Sequence, residues 1–438
     1  MTAAFGLDFG TTNSSLSAVL NGVVQLVDVE DAPGPEKDLN RKLLKSVLYF
    51  EDEYRVFIGQ AAIDQYLKKD IDGRYMQSIK SYLPNIHYNY TSFPDKDFGL
   101  DELISIILKK MKTEGEVFLG QEVENVVLGR PVFFDKDPAI DALAQKRLQS
   151  AALLAGFRNI HFQMEPVAAA LAYESSLKKG EEKVVFVGDL GGGTSDFSII
   201  RLKGGRPRSG RDRNRDILAV GGVYIGGDRF DSDIMWERLA PYFGKEVVVE
   251  DFLGKTWLPM PAFIYKLRHW HQIPQLKDVR IQERLKDLKY RANDPRPIER
   301  LERLIDENYG LLLFQEIEKA KKELSSSLTS IISFQENTYF RGMDELIHID
   351  ELLTREEFEQ IIEEDVSKIN RCIDQVIEDS ELTPDRIDHV FLTGGSSYVP
   401  MIKKGFQQRF GGEKLVQSDA FTSVAFGLGI YAASLYND

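Results

Sequence analysis

Cysteine is almost missing from this 438-residue sequence. Cys372 stands alone, which excludes an internal disulfide framework and a thiolate zinc site. Histidine is scarce as well, at six residues. Only HWHQIP (269–274) pairs two of them at a spacing that would turn both rings to one metal from a strand, and no third ligand accompanies the pair. No apolar run approaches the roughly 20 residues that span a bilayer. MTAAFGLDFG has no basic segment ahead of an apolar one, so neither an anchor nor a secretion signal is expected. Positive charge is in deficit, with a net charge of −14, which argues against general affinity for nucleic acid or an anionic membrane. A reducing cytoplasm is the simplest compartment.

What is present is an ordinary globular balance, 43% hydrophobic and 28% charged, in a chain long enough for two or more lobes. Against the acidic background, Lys203 and six arginines crowd residues 201–216. A solvated loop between strands is the ordinary reading, and a dock for an acidic partner the other.

Two segments share one grammar. FGLDFGTTNSSLSAVL (5–20) and VFVGDLGGGTSDFSII (185–200) each run apolar, reach an aspartate and a glycine turn, then resume alternation through Leu16, Ala18 and Leu20 or through Phe197 and Ile199. Period-two alternation after the turn predicts a strand, not the helix that follows a Walker-type loop. The unit is strand–turn–strand, used twice about 180 residues apart, and a duplicated α/β lobe follows. Between the copies, ENVVLGRPVFF predicts a buried strand and 141–157 a helix stopping at Gly156. NIHFQMEPVAAALAYES predicts a short strand, then a helix opened by Glu165 and Pro166. This alternation predicts a mostly parallel sheet covered by helices. Beyond residue 229 the chain turns to charged helices, preceded by a Trp/Pro-rich stretch at 255–276 that packs internally or offers a contact surface. A final helix–strand–helix unit and an apolar closing helix complete it.

The two glycine turns suit phosphate. Their backbone N–H groups can converge on phosphate oxygens if no side chain intervenes, which Gly10, Gly191, Gly192 and Gly193 ensure. Thr11, Thr12 and Thr194 add hydroxyls, and Asp8 and Asp189 at strand ends suit a hydrated Mg²⁺. Two further glycine pairs belong to the same picture. Gly394–Gly395 joins a strand to a helix whose N-terminus would favour an anion, and Gly226–Gly227 turns ahead of Asp228.

At this point the sequence resembles the actin-fold nucleotidases, and among them the ATPase domain of the DnaK-type (seventy-kilodalton heat-shock) chaperones. GLDFGTTNSS, EPVAAALAYE, VGDLGGGTSDFSII, IGGDRFD, EKAKKELSS and LTGGSSYVP carry the likeness in the family's order. The context is most similar to the truncated YegD-like subgroup. The resemblance implies an α/β actin-like fold with ribonuclease-H-like duplicated lobes. Lobe I would cover 1–182, with a small subdomain at 40–115. Lobe II would cover 183–438, with a small helical subdomain at 229–315 and a last helix at 420–435 packing back on lobe I. It further implies ATP or ADP with Mg²⁺ and K⁺, slow hydrolysis, and cleft closure set by nucleotide state.

By resemblance, Asp8 and Asp189 order the waters of Mg²⁺, and Gly10, Thr11, Thr12, Asn13, Gly191, Gly192 and Gly193 surround the phosphates. Lys80 reaches the γ-phosphate and the attacking water, which Glu165 helps position. Thr194 and Asp196 are polar neighbours of the second turn. Gly226, Gly227 and Asp228 form a fourth loop. Glu318, Lys321, Lys322 and Ser325 touch adenosine, and Gly394, Gly395, Ser396 and Tyr398 complete the nucleoside pocket.

The chain departs from the family's pattern in places. Tyr398 stands where an arginine packs on adenine. Near Pro131 the coupled arginine falls at Gln145, with Arg147 two residues on. His161 replaces a basic residue that docks J-domain cochaperones, which speaks against such a partner. No linker or β-sandwich peptide-binding domain follows Asp438, so a stand-alone ATPase domain acting on an unidentified protein partner or client is the expectation. An actin-like assembly protein, a small-molecule kinase and a nucleotide-binding module without turnover are the alternatives.

Overall fold

A computed structural model describes residues 3–30, 41–52, 54–69, 73–88, 90–93, 96–205, 216–251, 253–336, 346–417 and 422–436. They form two compact units, Met1–Gly227 with Val366–Asp438, and Asp228–Asp365. Most of the basic stretch at 201–216 lies outside the described residues.

The first unit holds two sheets, each built around one copy of the duplicated motif. Ala4–Asp8 and Asn13–Leu20 form the first hairpin, paired antiparallel from Ala4↔Val19 to Asp8↔Ser15. Glu182–Leu190 and Ser195–Lys203 form the second, with Asp189 opposite Asp196. On one side of the first hairpin lie Asn125–Arg130 and then Asn159–Met164, both parallel; on the other, Val23–Leu26 pairs antiparallel. The second hairpin is flanked in the same way by parallel His389–Thr393 and Leu415–Gln417, and by antiparallel Ile217–Val223. The sheets are therefore mixed, not mostly parallel. The duplicated motif is itself an antiparallel hairpin and takes two strands of each sheet.

Two helices rich in small residues lie between the sheets. Glu165–Glu174 and Ser423–Tyr436 pack on each other, the first against both strands of the second hairpin and the second against both strands of the first. Ala4, Val127, Ala168, Val185, Val187 and Leu428 meet in this shared core. Contact is backbone to backbone: a Cβ at Gly427 would stand 1.7 Å from the Ala168 carbonyl oxygen. Asn13–Leu20 is consequently buried on both faces. Ser14, Ser15 and Ser17 are as hidden as the apolar residues between them, and the Ser17 hydroxyl donates to the Ala425 carbonyl at 2.6 Å. The outer face of the first sheet is covered by Leu100–Leu119 and Pro138–Leu154. The latter starts at Pro138 with the Asp137 carboxylate accepting from the Ala139 N–H, and it ends just before Gly156, whose φ is 97°.

In the second unit, helices Val279–Arg291, Arg296–Asp306 and Gly310–Glu323 accompany two hairpins, Val248–Glu250 with Trp257–Pro259 and Thr329–Gln335 with His348–Thr354. The Trp/Pro-rich stretch divides. Met260, Ile264, Leu267, Ile273 and Leu276 are buried, whereas Trp257, Leu258 and Tyr265 are exposed. Beyond Pro261 it folds into two 3₁₀ turns, Ala262–Arg268 and Trp270–Lys277. His269 and His271 therefore stack ring on ring at 5.5 Å instead of facing one metal from a strand. Burial drives the His271 imidazole down to about 4. Among the described residues no group of three His, Cys, Asp or Glu is placed to hold a metal.

Candidate functional site

The glycine turns of the first unit converge. A Cβ on Gly193 would stand 2.9 Å from the Thr11 hydroxyl, so the two hairpins meet turn to turn. The Gly191 N–H closes the second turn on the Thr194 carbonyl at 2.9 Å. Gly226 lies against the same turn, where a Cβ would be 2.4 Å from the Gly192 oxygen, and the Gly227 N–H donates to the Gly191 carbonyl at 3.0 Å. From the other side, the Ser396 hydroxyl donates to that carbonyl at 2.9 Å. Gly394, at φ 78°, approaches the Leu190 oxygen so closely that a Cβ would be 2.2 Å away. Sequence reasoning took the two hairpins as a pair and the two further glycine loops as weaker signals; all three other loops meet the turn at Gly191–Gly193.

One local expectation changes. Gly394–Gly395 does not open the helix directly: a 3₁₀ turn, Gly395–Tyr398, intervenes before Pro400–Phe410, so the loop presents backbone and Ser396 instead of a helix N-terminus. Gly226–Gly227 leads into the helix Gly227–Ile234.

Beneath the turns sit four charged groups. Asp8 ends its strand and Asp189 stands one residue short of the end of its own, both half-buried. Lys80 and Glu165 are buried, with Nζ to Oε1 at 2.6 Å. Glu165 stands at the first position of its helix, and Gly129 on the neighbouring strand leaves it room, its Cβ position being 3.2 Å from Glu165 Cγ. Lys80 rides the short 3₁₀ turn Ile79–Tyr82, entered through Ser78 in left-handed conformation at φ 54°, which is uncommon for a residue with a side chain. Arg147 holds the following loop by donating to the carbonyls of Leu83, Asn85 and Tyr88. Arg130, next to Pro131, instead donates to Asp141 and Gln145. The anchoring arginine lies beside the proline, not on the helix after it.

The electrostatics are those of a site short of positive charge. Desolvation lifts the Asp8 carboxyl well above the usual aspartate range, and Glu165 and Asp189 push the same way against Lys80. Asp189 is raised to about 6 by desolvation and Glu165, while a 2.7 Å hydrogen bond from the Thr393 hydroxyl pulls it back. Burial works against the Lys80 ammonium, yet Glu165, Asp8 and Asp189 outweigh it and its pKa rises. Asp196, also buried, goes up to about 8, chiefly by desolvation. It borders, with Thr194, a cavity of about 340 Å³ that continues to Phe133, Gly221 and Cys372. Three carboxylates share one lysine, and the two nearest the glycine turns remain reachable by water. That donor set fits a divalent cation held through its water shell better than one ligated directly.

Thr393 was missed by sequence reasoning. It immediately precedes Gly394–Gly395 at a strand end, and only the pairing of the strands brings it into parallel register with Asp189. Asn13 opens the second strand of the first hairpin, its carbonyl 2.0 Å from where a Gly10 Cβ would be. Tyr398 is 41% exposed at the end of its 3₁₀ turn. The residues matched to adenosine contacts lie in the second unit, on and after the helix Gly310–Glu323. There Lys321 forms a 2.7 Å ion pair with Asp231, Lys322 pairs with Glu318 one turn back at 2.6 Å, and Ser325 follows the helix end. Asp228 adds negative charge near Asp231 and Lys321.

The model of the family described as "Hsp70 protein" matches residues 4–251 and 299–437. The chain is 29% identical over 432 residues to the protein named Chaperone protein DnaK of Thermosipho africanus (strain TCF52B), covering 98% of this chain and 58% of that protein. It is 28% identical over 432 residues to the Chaperone protein DnaK of Thermotoga petrophila, with 98% and 59% covered. The chain thus spans a little under three fifths of these relatives' length.

Proposed function

The chain belongs to the Hsp70 family, and on that premise we propose that it is a Mg²⁺-dependent ATPase of slow turnover whose nucleotide state governs binding to a protein partner in the cytoplasm. The family relationship is to chaperones that bind ATP and ADP; hydrolysis by this chain and its partner are the inference. The observation that carries it is the buried Lys80–Glu165 pair set beside Asp8 and Asp189 under the converging glycine turns.

Phosphoryl transfer to water needs alignment and charge neutralisation more than covalent chemistry. Bound Mg²⁺ supplies charge neutralisation at the phosphates. Asp8 and Asp189 would hold its waters, and the N–H groups around Gly191–Gly193 with the Thr11, Thr12 and Thr194 hydroxyls would hold the phosphate oxygens. Lys80, kept protonated by three carboxylates, would face the terminal phosphate. Glu165, fixed by Lys80, would orient the attacking water. The adenosine roles of Glu318, Lys321, Lys322, Ser325 and Tyr398 rest on the family match.

Single-turnover hydrolysis tests the reading. Lys80→Ala and Lys80→Met are expected to slow ATP cleavage on the order of 10²-fold, the usual scale for losing one preorganised donor, while retaining ATP binding. Cleavage as fast as wild type in folded variants would remove the central claim.

A further inference from the structure

The family match breaks off at residue 251 and resumes at 299. The skipped segment, 252–298, is the opposite of the chain in charge: ten lysines and arginines against four aspartates and glutamates, within a protein of net charge −14. It is also where large apolar side chains stand in water. Leu253 is 73% exposed, Trp257 55%, Leu258 48% and Tyr290 91%.

These residues form one surface. Glu250 pairs with Trp257 across the small hairpin, and the end of the helix Val279–Arg291 is stitched to its other strand. Ala292 bridges to Val249, the Asn293 N–H donates to the Val248 carbonyl, and Arg291 donates to the Glu250 carbonyl. Tyr290 and Lys286, one turn apart on that helix, thus stand beside the hairpin that carries Leu253, Lys255, Trp257 and Leu258. The surface is also preorganised. The Asp251 carboxylate accepts from the N–H groups of Leu253 and Lys255 and from the Thr256 hydroxyl, locking the turn.

The local carboxylates are largely spent. Asp251 is consumed by its own turn, and Asp287 pairs with Arg291. Glu283 shares the outer helix face with Lys286, but Lys255, Arg284 and Lys286 are exposed cations that outnumber it. We propose that this surface of the second unit is a docking site for an acidic protein segment that inserts apolar side chains between its charges, against Trp257, Leu258 and Tyr290. Aromatic anchors ringed by positive charge favour such a partner. Preformed geometry lowers the ordering cost of binding. The proposal is independent of the nucleotide reading.

The test uses the full chain and fluorescence anisotropy at low and moderate salt. The probes are a labelled peptide of alternating glutamate and leucine, its lysine–leucine counterpart, and single-stranded oligothymidylate. The glutamate–leucine peptide is expected to bind in preference to both others. Binding should weaken at least about tenfold in Lys255→Glu/Lys286→Glu and in Trp257→Ala/Tyr290→Ala, and survive in Trp257→Phe/Tyr290→Phe. The lysine pair is exposed, so its variant decides the matter even if the alanine pair unfolds. Tighter binding of oligothymidylate, equal binding of the two peptides, or unchanged affinity in the lysine variant would overturn the proposal. So would sedimentation showing the same surface closed by a second copy of the chain.

Discussion

The two hairpins of the first unit share a grammar and differ in what their glycines are for. In the first, a Cβ on Gly10 would lie 2.0 Å from the Asn13 carbonyl oxygen; in the second, a Cβ on Gly191 would meet nothing nearer than the Thr194 oxygen at 3.5 Å. Gly10 is demanded by the turn itself. Gly191 has room for a side chain, so its bareness speaks of something that comes close from outside. The aspartates differ too. Asp189 receives the Thr393 hydroxyl and is held to about 6, whereas among the described residues no such hydrogen bond restrains Asp8. One sequence pattern therefore yields a turn that is structurally forced and another that is free to serve a ligand.

The largest effect should come from breaking the first hairpin. Gly10→Ala is expected to cost about 3 kcal/mol or more of stability, since backbone oxygen cannot yield as a flexible side chain would. Chemical denaturation would register it as an earlier midpoint. Gly191→Ala should leave that midpoint within about 0.5 kcal/mol yet weaken ATP binding roughly tenfold or more by blocking the approach to the N–H groups; calorimetry separates the two. If both substitutions merely unfold the protein, the contrast between the turns is lost.

A finer probe is Thr393→Val, which removes the hydroxyl that donates to Asp189. A carboxyl held above its ordinary value must lose its proton before it can pair with a cation, so Mg²⁺-dependent nucleotide affinity should decline as pH falls through about 6. Without the hydroxyl the decline should begin up to about one pH unit higher, read from affinities measured across the range. In nucleotide-free protein the sign reverses: the protonated form favours the fold, so this group's stabilisation drains away as pH rises through about 6. Smallest of all, Ser396→Ala removes one hydroxyl from the back of Gly191 and should cost about 1 kcal/mol, visible in thermal unfolding and absent from any probe of the first hairpin.

Much of this was legible beforehand because it is local. An aspartate at a strand end, bare glycines and a return to alternation specify a hairpin within sixteen residues, and the repeat identifies it as a pair. Glycine likewise marked the end of Pro138–Leu154, although the helix starts three residues ahead of the start read from the sequence. What stayed hidden depends on neighbours remote in the chain. Nothing near Asp189 announces Thr393, 204 residues on. Ser14, Ser15 and Ser17 look like the wet face of a strand until a helix with small residues covers them. The anchoring of Pro131's neighbourhood moved to Arg130 because Asp141 and Gln145, on the next helix, lie within its reach. The histidine pair, which a strand would have turned to one face, lies where two 3₁₀ turns meet.

The helix Ser423–Tyr436 closes one face of the sheet that begins at Ala4, and Ser17 reaches across 408 residues to hydrogen-bond Ala425. Translation at about 5–20 residues per second leaves that face uncovered for tens of seconds while the nascent chain grows. The first hairpin must wait on the ribosome, apolar side out, for the segment that completes it.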